Sequence, residues 1–332
     1  MGKVKLLLNV GTCFSATSPF HYTVSWDHKC VFNGHCKEPQ YLYHLMAGTK
    51  QLKAEKPDKT RPKPDQARKQ GKPDILTLHS KYVVGKWTKE QEDEFFRSPM
   101  HIDKYIRYWL RHWDNVKDEF EWVGDFSNQS ALLSIPFMAS IKDQLLEHFD
   151  VKVTMQFRDP VRRLFSVANK CVKNKEYSQR KQLKNKFYPD RVERNKQVNE
   201  AMTPIQVMYQ WLSGAFEPNA YYSQIYRRHA QIWGKENVKA IVMEDFHNPN
   251  KEKDQLAMLS DFFDYKFTSI HENVYYPDMG SNPPKLDWLS DQYSSDIVDI
   301  TDDQYKKCRQ LMNQVYKEFE KTFGYIPDEW GK

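Results

Sequence analysis

Two stretches of the chain carry residue types that hold phosphate-like groups. In "VTMQFRDPVRRLFSVANK" an apolar strand pattern ends at Phe157, Arg158 follows at once, Pro160 fits the first turn of a helix, and Ser166 lies on that helix. Eight residues separate Arg158 from Ser166, just over two turns, so an arginine at the helix entrance can reach back over the face that carries the serine. A guanidinium fork and a hydroxyl together suit one phosphate. A structural alternative for the same residues is an ion pair between Arg158 and Asp159 at the strand end.

In "LLLNVGTCFSATSPF" the apolar run from Leu6 to Val10 stops at Gly11 and gives way to small hydroxylated residues. A glycine after a short apolar run marks the end of a buried strand, and the Ser/Thr cluster beyond it can open a helix whose free amides face an anion. The Walker pattern requires Gly, four residues, then Gly-Lys-Ser/Thr. Here Gly11 is followed by four residues and then by Ala16, Thr17 and Ser18, so the cradle lacks its ammonium. Simple helix capping also accounts for Thr17 and Ser18.

The elements that must position these residues are legible as alternating patterns. KLLLNV (5–10), WVGDF (122–126), VKVTMQF (151–157) and VKAIVM (238–243) read as buried parallel strands, and DILTL (74–78) as a weaker fifth. Strands alternating with helical patterns predict an α/β fold, a three-layer α/β/α arrangement with a mainly parallel central sheet. In such sheets ligands bind beyond the carboxyl ends of the strands, where Gly11–Ser18, Asp125–Ser130 and Arg158–Ser166 all fall. Phe95, Phe96, Ile102, Ile106, Trp109, Leu110 and Trp113 recur at helical spacing, predicting two helical segments broken at Pro99. A C-terminal helix is predicted from a capping box at Thr301 and Gln304, a stripe of Tyr305, Cys308, Met312, Val315, Phe319 and Phe323, and a stop at Gly324.

With 332 residues, the chain is expected to form a single domain over 1–332 with insertions at about 48–74 and 170–196. Those insertions are basic. Gly48–Asp74 holds nine Lys/Arg against four Asp/Glu, and Lys170–Lys196 ten against three, which exceeds the net charge of +6. They are either solvated lysine-rich surfaces or an attraction for an anionic partner such as a nucleotide, an acidic polymer or nucleic acid. The cysteines Cys13, Cys30, Cys36, Cys171 and Cys308 are odd in number and lack CxxC spacing, so free thiols are expected and no metal site. No apolar stretch approaches the ~20 residues of a membrane helix, and the strand pattern starts at Val4, so a cytoplasmic protein without a membrane partner is expected.

"GTCFSATS" and "RDPVRRLFS" together resemble, in order and spacing, the phosphate motifs of sulfotransferases that use 3'-phosphoadenosine 5'-phosphosulfate, including the heparan-sulfate members. "CKEPQYL" (36–42) is similar to the segment that carries that family's general base, "VGDFSNQSALL" to its second strand end, and "GAFEPNAYYSQIYRRHAQIWGKENVKAIVMEDF" to the helices and strand that follow. The resemblance implies a P-loop-like fold, transfer of a sulfuryl group to a hydroxyl of a carbohydrate or small molecule, and no metal. It implies that the loop Gly11, Thr12, Cys13, Phe14, Ser15, Ala16, Thr17 and Ser18 holds the 5'-phosphosulfate, and that Arg158 and Ser166 hold the 3'-phosphate. Gly280 and Ser281, in "MGSNPP", would belong to a late loop over the nucleotide. Glu38 would take the acceptor's proton, with Lys37 and His35 beside it as candidate cations.

The chain departs from the family pattern at two places. Phe14 stands where the family has Lys or Arg against the leaving phosphate, and Phe126 stands where the second strand end has lysine. Losing one oxyanion donor costs roughly 100- to 1000-fold in rate, so other cations must replace them or the chemistry is silenced. His21, His35, Lys37 and Lys170 are the nearest candidates in sequence. The alternatives are therefore a catalytically impaired nucleotide-binding relative, a nucleotide or metabolite kinase, which the missing Gly-Lys pair opposes, and a nucleic-acid-binding protein. The expected partners are the anionic nucleotide and a hydroxyl-bearing acceptor, an anionic glycan among the candidates, rather than nucleic acid.

Overall fold

A computed structural model describes residues 2–11, 15, 17–34, 39–48, 99–173, 203–213, 221–271 and 300–331. Glu38, Lys37, His35, Thr12, Cys13, Phe14, Ala16, Gly280 and Ser281 lie outside the described residues, as do DILTL, the helical segment expected before Pro99 and most of both basic insertions.

The first strand, β1 (Val4–Asn9), is apolar along its length, and Leu6, Leu7 and Leu8 are all buried. That pattern belongs to a parallel strand covered on both faces. It lies between β3 (Trp122–Asp125) and β4 (Phe149–Phe157), parallel to each, with Leu8 opposite Asp125 on one side and Val153 on the other. Among the described residues the order is β2-β3-β1-β4-β5, with β2 at Val31–Phe32 and β5 at Val238–Val242. All four strands predicted as strong are present. The sheet of the described residues has one further strand, β2, which sequence reading did not find because two residues carry no periodicity. Its pairing with β3 fixes it: Val31 faces Trp122 and Phe32 faces Val123. The molecule is α/β with a parallel central sheet.

Helices follow the strands in order. Among the described residues, those between β1 and β3 are α1 (Thr17–Tyr22), which runs into a π-helical turn at Thr23–Asp27, α2 (Tyr41–Met46) and α3 (Ile102–Val116). Next come α4 (Ile135–His148), α5 (Pro160–Lys173), α6 (Pro204–Ser213), α7 (Tyr222–Trp233), α8 (Met243–Phe246) and α9 (Glu252–Phe263). Helix α3 starts just after Pro99, where the break was expected, and buries Ile102, Ile106 and Trp109.

The C-terminal helix is two. The capping box forms at Thr301 and Gln304, but the backbone leaves helical geometry at Met312 (ψ 9°), separating α10 (Asp302–Leu311) from α11 (Asn313–Phe323). Tyr305, Cys308, Met312, Val315 and Phe319 all stay buried across the break. Gly324 ends α11 at φ 84°, a left-handed cap that glycine takes without strain.

The chain divides into two compact units. The first comprises Met1–Gly11, Val24–Met155 and Arg228–Lys239, and the second Thr12–Thr23, Gln156–Arg227 and Ala240–Lys332. In the first, Gly124 on β3 marks a close approach, because a Cβ there would lie 2.5 Å from Val31 Cγ1 and 3.1 Å from Phe126 Cε2. Gly124→Ala is expected to destabilise the protein by about 1–3 kcal/mol through overpacking, read as a lower urea midpoint. An unchanged midpoint would show that β2 shifts freely.

Candidate active site

The second unit contains the turn from β4 into α5. Phe157 ends the strand fully buried, stacked on Tyr222 with ring centroids 4.5 Å apart. The Tyr222 hydroxyl donates 2.7 Å to the Arg158 carbonyl, so an α7 side chain fixes the backbone at the turn. Burial pushes the Tyr222 phenol up to about 12, keeping it a neutral donor.

From this turn the Arg158 guanidinium reaches two turns along α5, and its Nη1 donates to Ser166 Oγ at 3.4 Å. Ser166 Oγ donates onward to the Arg162 carbonyl at 3.0 Å. The reach read from the eight-residue spacing is therefore made, and these two candidates are brought together.

Asp159 holds the turn in place. It is fully buried and caps α5, with Oδ1 accepting from Arg162 N at 2.9 Å, while Oδ2 accepts from the Tyr305 hydroxyl at 2.7 Å and the Tyr316 hydroxyl at 3.1 Å. The structural alternative of an Arg158–Asp159 pair is thus answered in part: the carboxylate serves a helix cap and two tyrosines. Asp159 followed by Pro160 at a helix start is a capping signal that sequence reading passed over. The tyrosines come from α10 and α11, and no local pattern pointed to them.

The Asp159 N–H donates 2.9 Å to Glu244 Oε1 on α8. Glu244 Oε2 is sealed from solvent, and the Trp330 indole supports the carboxyl as a donor. Burial, first, and the Asp159 charge raise its carboxyl to about 7, against the Asp159 N–H, the neighbouring Trp330 indole and the Arg158 charge. Trp330 is buried, and its carbonyl accepts from Arg309 Nη1 at 2.7 Å, tying the end of the chain to α10.

The phosphate-loop candidates divide between the two units. Gly11 follows β1, is buried, and donates its N–H to Asn9 Oδ1 at 3.3 Å. Ser15 is buried, and Thr17 and Ser18 open α1, the predicted strand–loop–helix order, although their side chains are outside the described set. His21 was expected as a polar loop residue or a replacement cation. It lies instead within α1, 2% exposed, its ring 5.6 Å from that of Tyr22. Lys170 lies on α5.

In the first unit, the segment after β3 is tightly cross-linked. Buried Asp125 accepts from the Tyr105 hydroxyl at 2.9 Å, from Ser127 N at 3.0 Å and, through a short contact, from Ser127 Oγ. Ser127 Oγ in turn accepts from Gln40 N at 2.8 Å, and Gln40 Oε1 accepts from Gln129 N at 3.1 Å. Gln40 holds φ 54°, a left-handed conformation uncommon for a side chain of this kind, maintained by these two bonds. Phe126 is fully buried and serves packing.

A cation that sequence reading missed lies beside this segment. Arg228 on α7 donates from Nη2 to the Ala131 carbonyl at 2.9 Å, and burial lowers its pKa. The adjacent His229 is fully buried, and desolvation holds its imidazole neutral, near 3. Among the described residues no cluster of His, Cys, Asp and Glu could hold a metal ion.

No protein-family model matches the chain, and no curated protein sequence does. Among solved structures, a sulfotransferase from Alicyclobacillus acidocaldarius aligns over 100% of both chains at a TM-score of 0.50 and 14% identity. A sulfotransferase domain from the Synechococcus PCC 7002 olefin synthase aligns at 0.43 and 13% identity over 98% of this chain and 97% of that one. A Mycobacterium avium sulfotransferase aligns at 0.40 and 10% identity over 96% of this chain and 78% of that one. The fold is sulfotransferase-like, an assignment carried by the first of these.

Proposed function

We propose that the protein is a sulfotransferase that moves the sulfuryl group of 3'-phosphoadenosine 5'-phosphosulfate to a hydroxyl of a carbohydrate or small-molecule acceptor. The observation that carries this reading is the Arg158 Nη1–Ser166 Oγ contact at a strand-to-helix turn of a parallel sheet. A guanidinium fork held against a hydroxyl at a helix start suits a phosphate monoester, here the 3'-phosphate of the nucleotide, toward which the Ser166 proton would turn from the Arg162 carbonyl. The sulfotransferase-like fold supports the choice of donor.

In the reaction the bond between sulfur and the bridging phosphate oxygen breaks, and a bond from sulfur to the acceptor oxygen forms. Electrons of the broken bond leave on the phosphate, so donors are needed there and a base is needed for the hydroxyl proton. On this reading the loop from Gly11 to Ser18 faces the phosphosulfate, with amides in place of the absent loop cation. Glu38 receives the acceptor's proton. Residues 1–332 form a single sulfotransferase domain with two basic insertions, which favour an anionic glycan as acceptor. The buried free thiols Cys30 and Cys308 suit a cytoplasmic protein.

Transfer of labelled sulfate from the phosphosulfate to a panel of sugars, phenols and glycans tests the activity. Transfer to any acceptor supports the enzyme. Tight binding of 3'-phosphoadenosine 5'-phosphate without transfer to any of them favours a second reading, an impaired nucleotide-binding relative, to which Phe14 points. Absence of both removes the reading.

A further inference from the structure

The leucine run of β1, Leu6–Leu8, ends on a carboxamide, Asn9, that is fully buried. The ladder with β4 continues one residue further, where the Val10 N–H donates to the Thr154 carbonyl at 2.9 Å. The next N–H, that of Gly11, leaves the ladder and turns back on Asn9 Oδ1 at 3.3 Å. A carboxamide that takes the N–H two residues ahead of it forms an Asx turn, which bends the chain without help from another element.

The donor at Oδ1 fixes which way the carboxamide faces, so Nδ2 is the atom left over. It is sealed from solvent and has no hydrogen-bond partner among the described residues. Thr154, which lies opposite Asn9 on β4, is also fully buried, and its Oγ1 has no partner among them either. Opposed residues of neighbouring strands place their side chains on one face of the sheet, so two polar groups stand side by side where apolar ones would pack.

Leaving a buried amide half unpaired is unfavourable, and an apolar residue would continue this strand better. The stability of β1 therefore does not explain Asn9. The one bond that its side chain recovers lies where the strand passes into the loop, and a local rule broken at such a place is expected to serve a site.

We propose that Asn9 is a positioning residue of the phosphate loop: its Oδ1 draws the Gly11 N–H into the protein, so that Gly11 supplies the turn into the loop and later amides meet the anion. This rests on the reading of Gly11–Ser18 as the site of the 5'-phosphosulfate. The physical reason is orientation. An N–H bound to Oδ1 does not face a ligand, and holding it sets the direction in which the chain leaves the sheet. A loop whose first turn is already set loses less freedom when the anion binds.

The experiment is equilibrium titration of the full chain with 3'-phosphoadenosine 5'-phosphate and with adenosine 3'-phosphate, which lacks the 5'-phosphate. Asn9→Leu is expected to weaken the first ligand about tenfold and to leave the second within about twofold, because only the first uses the loop. Asn9→Ser, whose hydroxyl is able to take the same N–H, should recover most of that loss. Thr154→Val removes the other unpaired atom of that face without touching Gly11, and should leave both affinities unchanged. If Asn9→Leu does not fold, Asn9→Ala takes its place with the same expected split between the ligands. A 5'-phosphate preference in the unmodified protein that survives Asn9→Leu or Asn9→Ala overturns the inference and leaves the loop standing. Equal weakening of both ligands by those variants, or loss of the preference in Thr154→Val, does the same. No preference for the 5'-phosphate in the unmodified protein overturns both.

Discussion

Replacing Arg158 with alanine is expected to weaken binding of 3'-phosphoadenosine 5'-phosphate by roughly 100-fold, and to leave binding of adenosine 5'-phosphate nearly unchanged. The loss is confined to the group that the guanidinium would hold. The turn itself should persist, because Tyr222 donates to the Arg158 carbonyl and Glu244 accepts from the Asp159 N–H, and alanine retains both backbone groups. Ser166→Ala removes one neutral hydroxyl and is expected to cost only about tenfold. Arg158→Lys should recover little, since a single ammonium replaces a fork that can meet both Ser166 and a phosphate. Equal affinities of Arg158→Ala and the unmodified protein for the 3'-phosphorylated nucleotide would place that phosphate elsewhere.

Asp159→Ala is expected to be the most damaging single change to stability in the described region, at roughly 3–5 kcal/mol. It removes the α5 cap, worth about 1 kcal/mol. It also leaves the hydroxyls of Tyr305 and Tyr316 without the acceptor they share, at about 1–3 kcal/mol each. Both phenols are held well above their usual pKa, chiefly by burial and then by the Asp159 charge, so they remain neutral donors. Asp159→Asn keeps an acceptor for part of this network and should lose about half as much. Urea denaturation of the three proteins measures the order. A midpoint for Asp159→Ala equal to that of the unmodified protein would mean that the two C-terminal helices do not depend on this carboxylate.

The two variants separate what the turn does from what holds it. Arg158 projects two turns along α5, and its substitution should change ligand preference more than stability. Asp159 points back into α10 and α11, and its substitution should do the reverse.

Much of this arrangement was legible in the chain because it is local. Apolar runs covered on both faces announce parallel strands, and β1, β3, β4 and β5 follow from them. The Arg158–Ser166 contact follows from helix pitch alone once Pro160 starts a helix, and the Thr301–Gln304 capping box is likewise a short-range device. The features that sequence reading missed are of another kind. β2 is two residues made into a strand by its neighbour. The helix break at Met312 has no proline or glycine to mark it.

The sequence by itself therefore determined four strands of the sheet, the strand-to-helix turn and the pair of residues that reach across it, since each depends on spacing within a few turns of chain. The tertiary structure decided which groups are charged and which are held. Tyr305 and Tyr316 meet Asp159 from roughly 150 residues away, Glu244 from 85, and only their enclosure together gives Asp159 its three donors and Glu244 the Asp159 N–H. Burial and mutual charge are properties of the assembled fold, which is why the carboxyl raised to about 7 beside Arg158 could not be read from "MEDF".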